Sequence, residues 1–287
     1  MKDHPILQDM PAAARRSLRP ESLFVDTGRA VIHYLDEGAH SYLSTLVVLS
    51  AQWLGANAFD GLAFGLRDRC RVIRVDLPGH GLAGPFTNGD YSARAYADAV
   101  LAVLNACGAN NVVLVGQSHS GIPAVLAALD EPTRIKGLIL ATSSGLPRGD
   151  ARPPGGQVGE QPADPRWMAD KLRTLMRRDH DPAWLADLAE ELAAHHRLPW
   201  RAREAALRAA AYDNSLLAQL LPRLSTPGIT LWSSHSTYLP VTMAERIATL
   251  WPGCIGSGNI DDTGHLLLAD APADGARAVL SFMEQIA

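Results

Sequence analysis

One serine stands where a serine can act as a nucleophile. The stretch Val112-Val-Leu-Val-Gly-Gln-Ser-His-Ser-Gly121 runs from an apolar segment through a turn of small residues into a helical pattern, with Ser118 at the tip. In a strand-turn-helix elbow the tip residue takes a strained backbone conformation, so the positions two before and two after it must be small. Here they are Gly116 and Ser120, followed by Gly121. Such a turn projects the Ser118 hydroxyl away from the sheet, and the N–H groups that open the next helix supply positive potential where an anion would form. A serine hydroxyl is a weak nucleophile at neutral pH. It needs a base, and a histidine with a pKa near 6.5 can take its proton during attack and return it to the leaving group. Two histidines stand in suggestive places: His80 in Asp76-Leu-Pro-Gly-His-Gly81 and His265 in Thr263-Gly-His-Leu-Leu267.

The rest of the chain must supply the frame that brings such residues together. Leu46–Leu49, Arg71–Val75, Val112–Val115 and Gly137–Ala141 are brief apolar runs without alternation, separated by helical patterns. Runs of that kind suit the central strands of a parallel sheet covered on both faces. An antiparallel hairpin is expected between Glu21 and Gly38, around a Thr-Gly turn. From Pro147 to Pro222 the strand pattern disappears: a Gly- and Pro-rich stretch is followed by three helical segments, two of them opened by Asp164-Pro165 and Asp181-Pro182. Each pair offers an N-cap followed by a proline suited to the first helical turn. Strands resume at Gly228–Trp232 and near Cys254-Ile255, and a last helix fits Pro272 to Ile286. The expected division is a core of residues 1–146 and 223–287 with a helical cap at 147–222 inserted after the sixth strand.

With its elbow, its Asp-Leu-Pro-Gly-His-Gly stretch and its late histidine, the chain resembles the α/β-hydrolase fold family over nearly its whole length. The resemblance implies a mostly parallel central sheet with helices on both faces and a helical cap, with Ser118 as nucleophile and His265 as general base. His80, in the glycine-rich loop, reads as structural. The backbone N–H of His119, directly after the nucleophile, should be one oxyanion donor; by position that of Gln52 should be the second, although Ser50-Ala-Gln-Trp-Leu-Gly55 lacks the His-Gly with which that loop commonly begins. The acid position also departs from the family. After Ile229–Trp232 the chain reads Ser233-Ser-His-Ser-Thr-Tyr-Leu-Pro240, which places Ser236 where an aspartate commonly orients the histidine, and no carboxylate occurs between Asp213 and Glu245. Asp261 and Asp262 are the alternatives near His265 in sequence. A hydroxyl can hold the imidazole but cannot stabilise its cation by charge.

The leading expectation is a serine hydrolase that cleaves an ester, thioester or lactone of a largely apolar small molecule through a Ser118–His265 dyad supported by Ser236. Trp53 and Leu54 beside the oxyanion loop, with Trp167 and Met168 from an apolar stripe of the cap, are candidate substrate contacts. An acyltransferase or a non-hydrolytic, cyclase-like catalyst would reuse the same pocket, and a non-catalytic small-molecule binder would keep only the fold. Other classes are disfavoured. The 287-residue chain has a formal net charge of −4 and no basic run, which argues against nucleic acid as a partner. No stretch approaches a membrane span and the start has no signal-peptide pattern. Cys70, Cys107 and Cys254 are odd in number and far apart, which fits free thiols in a cytoplasmic protein. His195 and His196 are adjacent on a helical pattern and face different ways, so no metal or other cofactor is expected. The oligomeric state is left open.

Overall fold

In the computed structural model, which describes residues 12–38, 44–52, 54–147, 163–236 and 238–287, eight strands form one sheet. They are β1 (Ser22–Asp26), β2 (Val31–Gly38), β3 (Thr45–Leu49), β4 (Arg71–Val75), β5 (Val112–Gln117), β6 (Ile135–Ala141), β7 (Gly228–Ser233) and β8 (Cys254–Ile260). Their order across the sheet is β1-β2-β4-β3-β5-β6-β7-β8. β1 with β2 and β2 with β4 pair antiparallel; every other pair is parallel. This is the α/β-hydrolase fold.

The helices follow the same chain order: α1 (Ala12–Arg15), α2 (Asp60–Phe64), α3 (Ala93–Ala106), α4 (Gly121–Asp130), α5 (Pro165–Leu175), α6 (Pro182–His196), α7 (Arg201–Ala211), α8 (Leu216–Leu220), α9 (Thr242–Leu250), α10 (Leu267–Asp270) and α11 (Pro272–Gln285). Because side chains alternate across a strand, the buried strands feed two separate cores. Val47, Leu49, Ile73, Leu114 and Leu140 pack with α3, α4, α8 and α9. Leu46, Val48, Val72, Val113 and Ile139 pack with α2, α5, α6 and α11. Covering both faces is what allows β5 to be buried at every position.

The last strand differs from its sequence expectation. Only Cys254-Ile255 carried a strand signal, yet β8 runs to Ile260 through Gly256, Ser257, Gly258 and Asn259. Alternate residues of β8 are exposed, as befits an edge strand. Pairing with β7 overrides the weak intrinsic preference of glycine and asparagine for extended structure.

The described residues between β6 and β7 form α5 to α8 and contain no strand. The Asp164 carboxylate accepts from the N–H groups of Arg166 and Trp167 at 2.7 and 3.3 Å, and Asp181 caps Ala183 and Trp184 in the same way at 2.7 and 3.4 Å. The Gly- and Pro-rich stretch at 148–162 lies outside the described residues. Among the described residues no helix is long and apolar enough to cross a membrane.

Candidate active site

Ser118 follows β5 directly and opens a short 3₁₀ turn, Ser118–Ser120, that leads into α4. Its φ of +59° lies in the left-handed region, a strain that places the side chain at the tip of the elbow. The neighbours make this possible. A Cβ on Gly116 would come within 2.7 Å of the Gly121 Cα, and one on Gly121 within 2.5 Å of Ser143 Oγ. Ser120, in place of the second glycine, closes the turn: its hydroxyl donates to the Gln117 carbonyl at 2.9 Å and accepts from the Gln117 N–H at 3.0 Å.

His265 Nε2 lies 3.0 Å from Ser118 Oγ, and His265 Nδ1 lies 3.2 Å from Ser236 Oγ. The three residues expected to act together therefore meet. The backbone of the histidine loop is tied down from several sides. The His265 carbonyl accepts from Gln117 Nε2 and Thr142 Oγ1, the Thr263 carbonyl accepts from the Ser233 hydroxyl, and the Leu266 N–H donates to the Leu175 carbonyl. Asp261 and Asp262 face elsewhere: Asp261 accepts from Asn259 Nδ2 and Asp262 from Arg177 Nε, and neither carboxylate bonds the imidazole.

The hydroxyl at position 236 has a chemical consequence that a carboxylate would not. A carboxylate only accepts, so it holds the proton on Nδ1 and leaves Nε2 bare to act as base. A serine hydroxyl both donates and accepts. Ser236 Oγ already accepts from the Leu239 N–H at 3.2 Å, and it can receive Nδ1–H or donate to a bare Nδ1. The tautomer with the proton on Nδ1 is thus favoured less strongly than beside a carboxylate.

The loop after β3 is set by a buried scaffold beneath it. The Asp76 carboxylate accepts from the N–H groups of Ala56 at 2.7 Å and Leu82 at 2.9 Å, and lies 2.7 Å from His33 Nδ1. Burial pushes this carboxyl up, but His33 and the Leu82 N–H outweigh it and hold the group below the ordinary aspartate range. Gly81 has φ +47° and a Cβ there would fall 2.2 Å from the Asp76 carboxylate, which explains the glycine. Ser50 joins the two segments, accepting the Leu77 N–H on its hydroxyl at 3.0 Å. Gln52 stands exposed at the turn of this loop. As the second residue of its 3₁₀ turn, His119 has a backbone N–H without an intrahelical acceptor.

The expected substrate contacts divide. Leu54 and Met168 are 0% and 1% exposed, closed into the apolar layer between α5, α6 and the core, so they present almost no surface to a ligand. Trp167 is half-buried on the same layer. Trp53 lies outside the described residues. Sequence reasoning missed Tyr238, whose ring packs against His265 with centroids 5.3 Å apart, and Lys171 of α5, which bonds the Tyr238 hydroxyl. Their separation in the chain left no local signal.

A model of the alpha/beta hydrolase family matches residues 38–278. The chain belongs to this family. Among its relatives, the uncharacterized hydrolase YugF of Bacillus subtilis (strain 168) is 24% identical over 251 residues, covering 84% of this chain and 88% of YugF. A membrane phospholipase A structure superposes with a TM-score of 0.80 at 22% identity, over 92% of this chain and 86% of that one. The enol-lactonase of Burkholderia xenovorans LB400 superposes with a TM-score of 0.75 at 16% identity, over 91% of this chain and all (100%) of that one. The protein is therefore an enzyme, a hydrolase.

Two carboxylates of this hydrolase, one buried and one half-buried, lie outside the Ser-His pair and carry testable consequences. Asp270, fully buried, accepts from the N–H groups of Gly264 at 2.6 Å, Arg177 at 2.8 Å and Arg178 at 3.0 Å, and lies 2.8 Å from His180 Nε2. It joins the histidine loop to the segment after α5. Asp270→Ala strands these donors, and a loss of about 3 kcal/mol in urea unfolding is expected, on the scale of a broken buried network. A loss below about 0.5 kcal/mol, the range of neutral surface changes, would show that the clamp is not structural.

Glu191 of α6 docks on the core, accepting from Asn57 Nδ2 at 3.0 Å. Burial, opposed by that hydrogen bond and reinforced by Asp76, raises its pKa from 4.5 to about 7. Since the folded value exceeds the unfolded one, the stabilising proton is fully present below about pH 4.5 and is lost as pH rises through about 7. Glu191→Gln cannot ionise. Its melting temperature should match the wild type at pH 4.5 and exceed it at pH 8, by a margin equivalent to roughly 3 kcal/mol. Equal melting temperatures at both pH values would show that Glu191 is not held protonated.

Proposed function

We propose that the enzyme is a serine hydrolase for esters, thioesters or lactones of largely apolar small molecules. The observation that carries this reading is the 3.0 Å contact of His265 Nε2 with Ser118 Oγ at a strained elbow. In this reading His265 takes the Ser118 proton as Oγ attacks the substrate carbonyl. The oxyanion then forms against the backbone N–H groups of His119 and Gln52. His265 returns the proton to the leaving oxygen or sulfur, and water releases the acyl group by the reverse route. Ser236 acts as a positioning residue, keeping the imidazole oriented without a formal charge.

Residues 147–222 serve as a lid in this proposal. Ser118 and His265 are 8% and 7% exposed, so little of either meets bulk solvent, and the half-buried Trp167 of α5 is the cap side chain proposed to meet an apolar acyl chain. Three unpaired cysteines suit a reducing compartment, and the cytoplasm is the proposed location.

The test is intact-mass spectrometry of the protein incubated with p-nitrophenyl esters from acetate to dodecanoate. An added acyl mass that maps to Ser118, with release of p-nitrophenol, is the expected result, and the preferred chain length reports the acyl site. Absence of both adduct and p-nitrophenol across the series would reject the reading.

A further inference from the structure

The segment that follows β7 meets His265 twice. Ser236 Oγ lies 3.2 Å from Nδ1 and also accepts the Leu239 N–H at 3.2 Å, which ties Ser236 to Leu239 across a turn. Trp232 Nε1 anchors that turn by donating to the Leu239 carbonyl at 3.1 Å. Two residues after Ser236 stands Tyr238, whose ring lies against the imidazole with centroids 5.3 Å apart and planes inclined by 35°, closer to stacked than to edge-on. One short segment thus gives the base a partner at its edge and another at its face.

What Tyr238 offers His265 is its ring. The hydroxyl is bonded by Lys171 Nζ of α5, while the half-buried ring packs against apolar clusters on both faces of the sheet. Packing from two sides fixes the ring. Hydrogen bonds at Nε2 and Nδ1 leave an imidazole free to roll about the line that joins them, and a ring against its face opposes that roll.

The chemistry gives the same contact a second use. In the serine-hydrolase reading His265 becomes an imidazolium as it takes the Ser118 proton, beside a Ser236 hydroxyl that carries no charge. The face of a phenol ring is negative and attracts a cation within about 6 Å of its centroid, a condition the imidazole meets. The charged groups around the pair are Lys171, whose Nζ lies 5.1 Å from the Tyr238 centroid, and Asp270, which accepts the Gly264 N–H at 2.6 Å. Lys171 draws on the same π-density, so the attraction belongs at the modest end of its range. We propose that Tyr238 is a positioning residue whose ring holds the His265 imidazole and stabilises the imidazolium formed as Ser118 attacks. This role rests on the serine-hydrolase reading and offsets part of what a carboxylate at position 236 would supply.

Tyr238→Leu removes the ring. Its kcat on p-nitrophenyl butyrate should fall about five-fold with KM unchanged, because the imidazolium forms only on the way through the transition state. Tyr238→Phe keeps the ring and should hold kcat within about two-fold of the wild type. Incorporating 4-fluoro- or 3,4,5-trifluorophenylalanine at position 238 keeps the ring while draining its face, so kcat should fall stepwise from Phe through the monofluoro to the trifluoro chain. That series decides the matter if Tyr238→Leu does not fold. NMR titration of the His265 ring protons reads the same attraction without turnover: the midpoint should move about 0.7 pH unit lower in Tyr238→Leu, the equivalent of the five-fold factor, and stay in place in Tyr238→Phe. Absence of ester hydrolysis by the wild type would sink the serine-hydrolase reading and leave the titration to decide the ring. The role of Tyr238 is overturned if Tyr238→Phe loses as much as Tyr238→Leu, if the loss appears in KM, if fluorination leaves kcat unchanged, or if the titration midpoint is the same with and without the ring.

Discussion

Ser118→Ala is expected to abolish labelling by a fluorophosphonate probe and to reduce ester hydrolysis about 100-fold, with the thermal unfolding transition unchanged. The size follows from what is already missing. In a triad protease, loss of the serine costs about six orders of magnitude in turnover, and neutralising the acid alone costs about four. An enzyme with a hydroxyl at the acid position has forgone most of the second contribution. About two orders remain for the nucleophile to carry. The fold should not notice the change, since it removes a single oxygen whose hydrogen bond is to His265 Nε2. Turnover retained at the wild-type rate would remove Ser118 from the mechanism.

Ser236→Asp should act in the opposite direction, raising hydrolysis of p-nitrophenyl esters by about ten-fold or more, with about four orders of magnitude as the ceiling. Two effects add. A carboxylate 3.2 Å or less from Nδ1 fixes the tautomer that leaves Nε2 bare, and it stabilises the imidazolium formed as Ser118 attacks. The Leu239 N–H, which now donates to Ser236 Oγ, is in place to support the new charge. Asp261→Asn and Asp262→Asn should leave the rate unchanged, because both carboxylates are engaged with Asn259 and Arg177. A large loss in either Asn variant, with no gain in Ser236→Asp, would transfer the orienting role to that aspartate and end the dyad account.

What the sequence by itself determined is what short stretches of chain can encode. The elbow is legible because a left-handed residue tolerates only small neighbours two positions away, and Gly116 and Ser120 meet that condition locally. The parallel strands are legible because burial on both faces removes the polar alternation, and the cap helices because Asp164 and Asp181 satisfy N–H groups only two and three residues on. The tertiary structure decided everything that joins distant segments. The bond between Ser118 and His265 spans 147 residues, and that between Ser236 and His265 spans 29. Asp270 reaches 93 residues back to Arg177, and Glu191 reaches Asn57 across 134. No local pattern announces such contacts, since their geometry depends on how the parallel strands β3, β5, β6, β7 and β8 set their ends along one edge of the sheet. The burial of Leu54 and Met168 and the unsatisfied nitrogens of His119 belong to the same level. Whether an apolar side chain faces a ligand or a neighbouring helix, and whether a polar one finds a partner, is set by what the rest of the chain places against it.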